Sequence, residues 1–131
     1  MAVTGIHHSS VVVTDVNRAR QFYREALGLQ ELPAPSTFDF VVAWFAVGAE
    51  QIHLLLKAQA DTKSPRHVAL HVEDLDAMRS HLQKLGAPIR DTDPIPGASR
   101  FFTADPDGNQ IELIEWTTPW PQADPRAWIR P

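Results

Sequence analysis

The stretch His67-Val68-Ala69-Leu70-His71-Val72-Glu73-Asp74 decides the fold, because His8-Ser9-Ser10-Val11-Val12-Val13-Thr14-Asp15 has the same layout. Each opens on a histidine and runs through apolar, partly β-branched residues that read as a strand. Each ends on an aspartate placed to cap a helix. His8 and His67 are 59 residues apart, and so are Asp15 and Asp74. After Asp15, the residues Ala19, Phe22, Tyr23, Ala26 and Leu27 recur at helical spacing, and Gly28 is placed to stop the helix. After Asp74, the face is Leu75, Met78, Leu82 and Leu85, and Gly86 ends it. The two glycines differ by 58, so the second helix or its end is one residue shorter.

The offset continues further along the chain. Gln51-Ile52-His53-Leu54 lies 59 residues before Gln110-Ile111-Glu112-Leu113. Matches at this one offset, in the same order, indicate two copies of a strand–helix–strands unit, each too small to bury a face alone. Phe38 to Val47 adds a strand in the first half. Arg100-Phe101-Phe102-Thr103 leads into the turn Asp105-Pro106-Asp107-Gly108-Asn109, where Pro fixes φ and Gly and Asn tolerate positive φ. Gln110 to Trp116 reads as the closing strand, and segments 30–37, 57–66 and 91–99 read as loops. The expected organisation is one α+β domain: module 1 over about 4–57, module 2 over about 64–117, and a Pro/Trp-rich tail over 118–131. The tail tryptophans are placed to pack on the domain or on a partner chain.

Composition narrows the function. The 131 residues suit one domain or two half-domains sharing a core, with 44% apolar and 21% charged residues. A formal charge of -4 gives no basic patch for nucleic acid. Arg and Lys are scattered singly, which speaks against a membrane-surface helix, and no stretch approaches a membrane span. No basic stretch leads into an early apolar run, so the expected location is cytoplasmic. The absence of cysteine excludes disulfides, thiol nucleophiles and thiolate metal sites. Any metal must therefore be held by histidine and carboxylate.

Side chains alternate across a strand, so His7 and His8 are expected on opposite faces. The repeat selects His8, which aligns with His67, and pairs His53 with Glu112. Two related halves would bring His8, His53, His67 and Glu112 together around a pseudo-twofold axis. Three imidazoles and one carboxylate suit Zn, Ni, Co, Fe or Mn rather than Ca or Mg. A single strand histidine is more often a surface or hydrogen-bonded structural residue; the matched set favours metal. Glu112 sits between Ile111 and Leu113, and burying its charge without a partner would be expensive. Candidate substrate contacts are His71, on the face of His67; Arg100, able to hold an anionic group or to make a surface salt bridge; and Phe38, Phe40, Trp44 and Phe102, which would line an apolar pocket or belong to the core.

These motifs resemble the vicinal-oxygen-chelate superfamily, which contains glyoxalase I, bleomycin- and fosfomycin-resistance proteins, methylmalonyl-CoA epimerase and extradiol dioxygenases. The resemblance runs from His8 to about Thr117. It rests on His8 to Asp15, Ala19-Arg20-Gln21-Phe22-Tyr23, Leu27-Gly28-Leu29, Gln51 to Leu54, His67 to Leu70 with Asp74, and Asp105 to Asn109 followed by Ile111-Glu112-Leu113. It implies two βαβββ modules forming a cupped, incomplete barrel around a divalent metal. It also implies a homodimer whose sites draw ligands from one chain or from both. In glyoxalase I the His53 position is normally Glu, so this chain departs from that pattern at one ligand. Extradiol dioxygenases use a two-His, one-carboxylate set matching His8, His67 and Glu112, without a ligand at the His53 position.

The resulting expectation is a glyoxalase-like lyase or isomerase acting on a small oxygen-chelating substrate. The metal would stabilise an enediolate, and Glu112 would be the catalytic base that moves the proton next to the carbonyl. The alternatives are an extradiol-type Fe(II) dioxygenase and a non-enzymatic small-molecule binding or resistance protein.

Overall fold

The computed structural model describes residues 1–37 and 39–118. The chain divides into two compact units. One comprises Met1–Val68 with Ala104–Gln110, the other Ala69–Thr103 with the chain from Ile111.

The first unit contains β1 (His8–Val13), α1 (Val16–Gln21) continued by a π-helical turn (Phe22–Ala26), β2 (Gln30–Leu32), β3 (Val41–Val47) and β4 (Glu50–Leu56). Its sheet has the order β1-β4-β3-β2. β1 runs parallel to β4, with His8 opposite Gln51 and Ser10 opposite His53. β3 is antiparallel to both neighbours. One sheet face carries Val13, Ala43, Phe45, Ile52 and Leu54, all buried together with Ala19, Tyr23, Ala26 and Leu27 of the helix. The opposite face carries His8, Ser10, Trp44 and His53, as the alternation of a strand requires.

The later elements are β5 (His67–His71), α2 (Leu75–Lys84), β6 (Arg90–Asp91), β7 (Ala98–Ala104) and β8 (Gln110–Trp116). Their sheet has the order β5-β8-β7-β6, the first order repeated. The fold is thus two βαβββ modules with two separate four-stranded sheets. Leu70, Leu75, Leu82, Phe101, Ile111 and Leu113 form the second core. No helix of the described residues is long and apolar enough to cross a membrane.

Both caps form as the repeat requires. The Asp15 side chain accepts from the Arg18 amide, and the Asp74 side chain from the Ala77 amide. The one-residue mismatch between the helices has a definite location. The Leu27 amide donates to the Phe22 carbonyl, a π-type bond, whereas the equivalent Leu85 amide donates to His81, an α-type bond. A π turn is an α-helix with one inserted residue, so the extra residue of the first helix is absorbed there. Gly28 (φ 68°) and Gly86 (φ 74°) then end the two helices in the left-handed conformation.

Two short edge strands correct the loop readings. Gln30–Leu32 of segment 30–37 is β2, pairing with Ala46, Phe45 and Trp44. Asp91, at the start of segment 91–99, belongs to β6. Strands this short show no periodicity; their pairing partners create them. Arg20 adds a two-pronged ion pair to Glu31 at 2.6 and 2.9 Å.

The turn 104–110 belongs to the first unit because its polar groups are satisfied there. The Asp105 carboxylate accepts from the Asp107 and Asn109 amides, from Asn109 Nδ2 and from the Tyr23 hydroxyl at 2.8 Å. The Asp107 carboxylate accepts from the Thr14 amide and hydroxyl and from Arg18. Asn109 Nδ2 also donates to the Val12 carbonyl.

Candidate metal centre

One group of metal-capable side chains assembles among the described residues: His7, His8 and His53, with one nitrogen from each within 4.8 Å of the others. Strand register explains half of it. His53 on β4 faces Ser10 across the parallel pair and Trp44 across the antiparallel one. Its ring lies between Trp44 (centroids 4.1 Å apart, planes 2° apart) and His8 (3.9 Å, 13°). His7 completes the group through an Nδ1–Nδ1 hydrogen bond of 2.8 Å to His8.

That last contact corrects the expectation that His7 faces away. β1 begins at His8, so strand alternation does not reach His7. The adjacent His7-His8 pair was the available signal; the repeat hid it, because nothing at position 66 matches. Gln51 was likewise missed. Its Oε1 lies 2.8 Å from His53 Nε2. A carbonyl oxygen only accepts, so Nε2 carries the proton and Nδ1 keeps the lone pair, which makes Nδ1 the nitrogen able to bind a metal.

Electrostatics favour the same state. His53 is only 5% exposed. Burial first, then the neighbouring His8 and His7, push its pKa down from 6.5 to about 4. It is therefore neutral near pH 7. A cluster of imidazoles, one of them kept unprotonated, fits a borderline divalent cation.

His67 and Glu112 lie outside this group. His67 begins β5, exposed, with Nδ1 2.8 Å from the Pro65 carbonyl. That bond places the proton on Nδ1 and leaves Nε2 as the basic nitrogen. Glu112 is buried on β8, where Arg100 Nη1 donates to it at 2.5 Å. Arg100 also donates from Nε and Nη2 to the Asp93 carbonyl, so its donors are turned toward the protein. His71 is exposed on the His67 face of β5.

The aromatic candidates take different places. Trp44 stacks on His53, and its indole Nε1 is buried without a partner. Phe40 is 47% exposed, with Lys57 Nζ 5.8 Å from its ring centre. Phe102 is buried beneath the Arg90 guanidinium at 4.4 Å. Phe38 and the tail tryptophans lie outside the described residues.

Residues 5–113 match the profile of one protein family, described as the Glyoxalase/Bleomycin resistance protein/Dioxygenase superfamily. The chain belongs to this superfamily. A crystal structure from Bacillus anthracis, described as a glyoxalase family protein, superposes with a TM-score of 0.80 at 30% identity, covering 88% of this chain and 98% of that one. The metallothiol transferase FosB of Shouchella clausii is 29% identical over 125 residues, 85% of this chain and 80% of that protein. The lactoylglutathione lyase of Haemophilus influenzae is 28% identical over 123 residues, 84% of this chain and 91% of that protein. Enzymes among the superfamily relatives, together with the histidine group, support metal-assisted catalysis on a small substrate.

Proposed function

We propose that the protein is a divalent-metal-dependent lyase or isomerase of glyoxalase type, moving a proton next to a carbonyl of a small oxygen-chelating substrate. The observation that carries this reading is the His7, His8 and His53 group, with His53 held neutral by burial. The residues that would hold the metal are His8 and His53, with His7 beside His8; His67 and Glu112, which lie outside that group, are the further ligands that the repeat proposes. A bound divalent metal supplies Lewis-acid stabilisation of negative charge developing on substrate oxygens. The protein's own groups do the rest. Gln51 and Pro65 fix the tautomers of His53 and His67. Glu112 accepts the proton from the carbon next to the carbonyl and returns it. Arg100 positions Glu112 and offsets its charge between turnovers. Trp44 forms an apolar wall against the His53 ring. The assembly this reading expects is a homodimer with ligands drawn from both copies.

The test is elemental analysis of untagged protein purified without added metal, beside His53→Gln and Glu112→Gln. Near-stoichiometric metal in the parent and less in both variants supports the site. Solvent deuterium entering the carbon next to the carbonyl of small hydroxyketones, lost in Glu112→Gln, supports the reaction. A parent protein that neither carries metal nor acquires it from Zn, Ni, Co, Mn or Fe(II) solutions overturns the reading. Iron together with oxygen uptake on catechols would move it to a ring-cleaving oxygenase.

A further inference from the structure

A cavity of about 630 Å³ opens in the first unit between β1, the chain from Asp61 to Val68 and the turn Asp107–Gln110. This lies within the size range of small-molecule sites. Two cations and two carboxylates line it, and they differ in how far they are already engaged. Lys63 and Arg66 both line it, and among the described residues neither the Lys63 ammonium nor the Arg66 guanidinium has a protein partner. Of the two carboxylates that also line it, Asp107 is already occupied by Thr14 and Arg18. Asp61 is exposed on the connecting segment.

The cations are also placed by the chain around them. The turn lies against the Lys63 stem: a Cβ on Gly108 would be in ordinary van der Waals contact with Lys63 Cε, at 3.7 Å. The Arg66 amide donates to Ser64 Oγ, and Gln110 Nε2 donates to the Ser64 carbonyl, fixing the segment that carries both charges. Ser9 and Ser10 of β1, immediately after His8, also line it. His67 lines the same cavity.

We infer that this cavity binds an oxyanion, a carboxylate, phosphate or phosphonate, forming the charged end of the substrate, with Lys63 and Arg66 as its counter-charges. The assignment to a substrate rests on the functional reading above; the anion site itself does not. Arg66 supplies a fork of donors suited to two oxygens, and Lys63 a compact point charge. Asp61 weakens the site and narrows it to ligands whose charge exceeds that repulsion.

The experiment uses full-length, ¹⁵N-labelled protein freed of metal on a chelating resin, so that metal binding cannot contribute. Pyrophosphate and citrate are titrated separately at constant ionic strength set by chloride. Saturable amide shifts confined to residues 61–68, 107–110 and 9–11 are expected with at least one probe. Which probe binds separates a phosphate-type from a carboxylate-type ligand. Lys63→Gln and Arg66→Gln should each weaken binding about tenfold, and Asp61→Asn should strengthen it. Arg66→Lys, which keeps charge but loses the fork, should fall between Arg66→Gln and the parent. Unsaturating shifts spread over surface cations, or saturable binding unchanged in Lys63→Gln/Arg66→Gln, would overturn the inference. Either result stands whether or not the metal analysis succeeds.

Discussion

Glu112 and Arg100 show what a buried charge requires of its surroundings. Their side chains are 10% and 19% exposed, so the pair is largely out of water. Removing one partner of such a pair leaves an uncompensated charge, which typically costs about 3 kcal/mol. Arg100→Ala should therefore lower unfolding stability in urea by roughly that amount. Arg100→Ala/Glu112→Gln should recover a good part of it, and equal losses in the single and double variants would show that the pair is not what stabilises β8. His53 makes a second prediction through pH. Its folded pKa of about 4 lies below the ordinary 6.5, so the unfolded chain binds the extra proton between those values. The stability from keeping His53 neutral is present above pH 6.5 and is lost as pH falls toward 4. By linkage it amounts to at most about 3 kcal/mol. In metal-free protein the acid limb of stability against pH should be shallower in His53→Gln than in the parent; identical limbs would remove burial as the cause.

At the scale of elements, the first helix and the turn 104–110 share one buried hydrogen bond, from Tyr23 to Asp105. Tyr23 is fully buried, and burial followed by the charge of Asp105 raises its pKa well above 10. The folded state therefore keeps the proton after the unfolded chain has lost it. Stability from this group is complete below pH 10 and falls as pH rises beyond it. Tyr23→Phe should cost about 1 kcal/mol at neutral pH and remove much of that alkaline loss. Tyr23 is the single tyrosine of the chain, so its absorbance titration reads the group directly. The caps, both helix faces and the closing strand were legible in the sequence because each follows from local spacing. The π turn was legible only as a count, a 58 where 59 was due. β2 was not legible, since three residues on a sheet edge become a strand only through β3.

At the scale of the molecule, metal that binds the folded state and not the unfolded one must raise the melting temperature. At a free metal concentration one hundred times Kd the gain is about 2.7 kcal/mol. Parent protein should show this rise with the metal found in elemental analysis, and His8→Ala/His53→Ala should lose most of it. An equal rise in the double variant would place the metal elsewhere. If the protein is a homodimer whose copies share the site, the same metal should also reduce its dissociation on dilution, measured by light scattering.

The sequence by itself determined the duplicated βαβββ plan and the candidacy of His8, His53, His67 and Glu112. A repeat fixes which positions are equivalent, and strand alternation fixes which face each side chain takes. Tertiary structure decided the side chains around them. It brought His7 into the histidine group because β1 starts one residue later, and placed His53 between Trp44 and His8. It turned Arg100 onto Glu112 and left Lys63 and Arg66 facing a common cavity. Those outcomes depend on strand starts, register and the path of connecting segments. These are set by pairing between residues distant in the chain, and no local pattern encodes them.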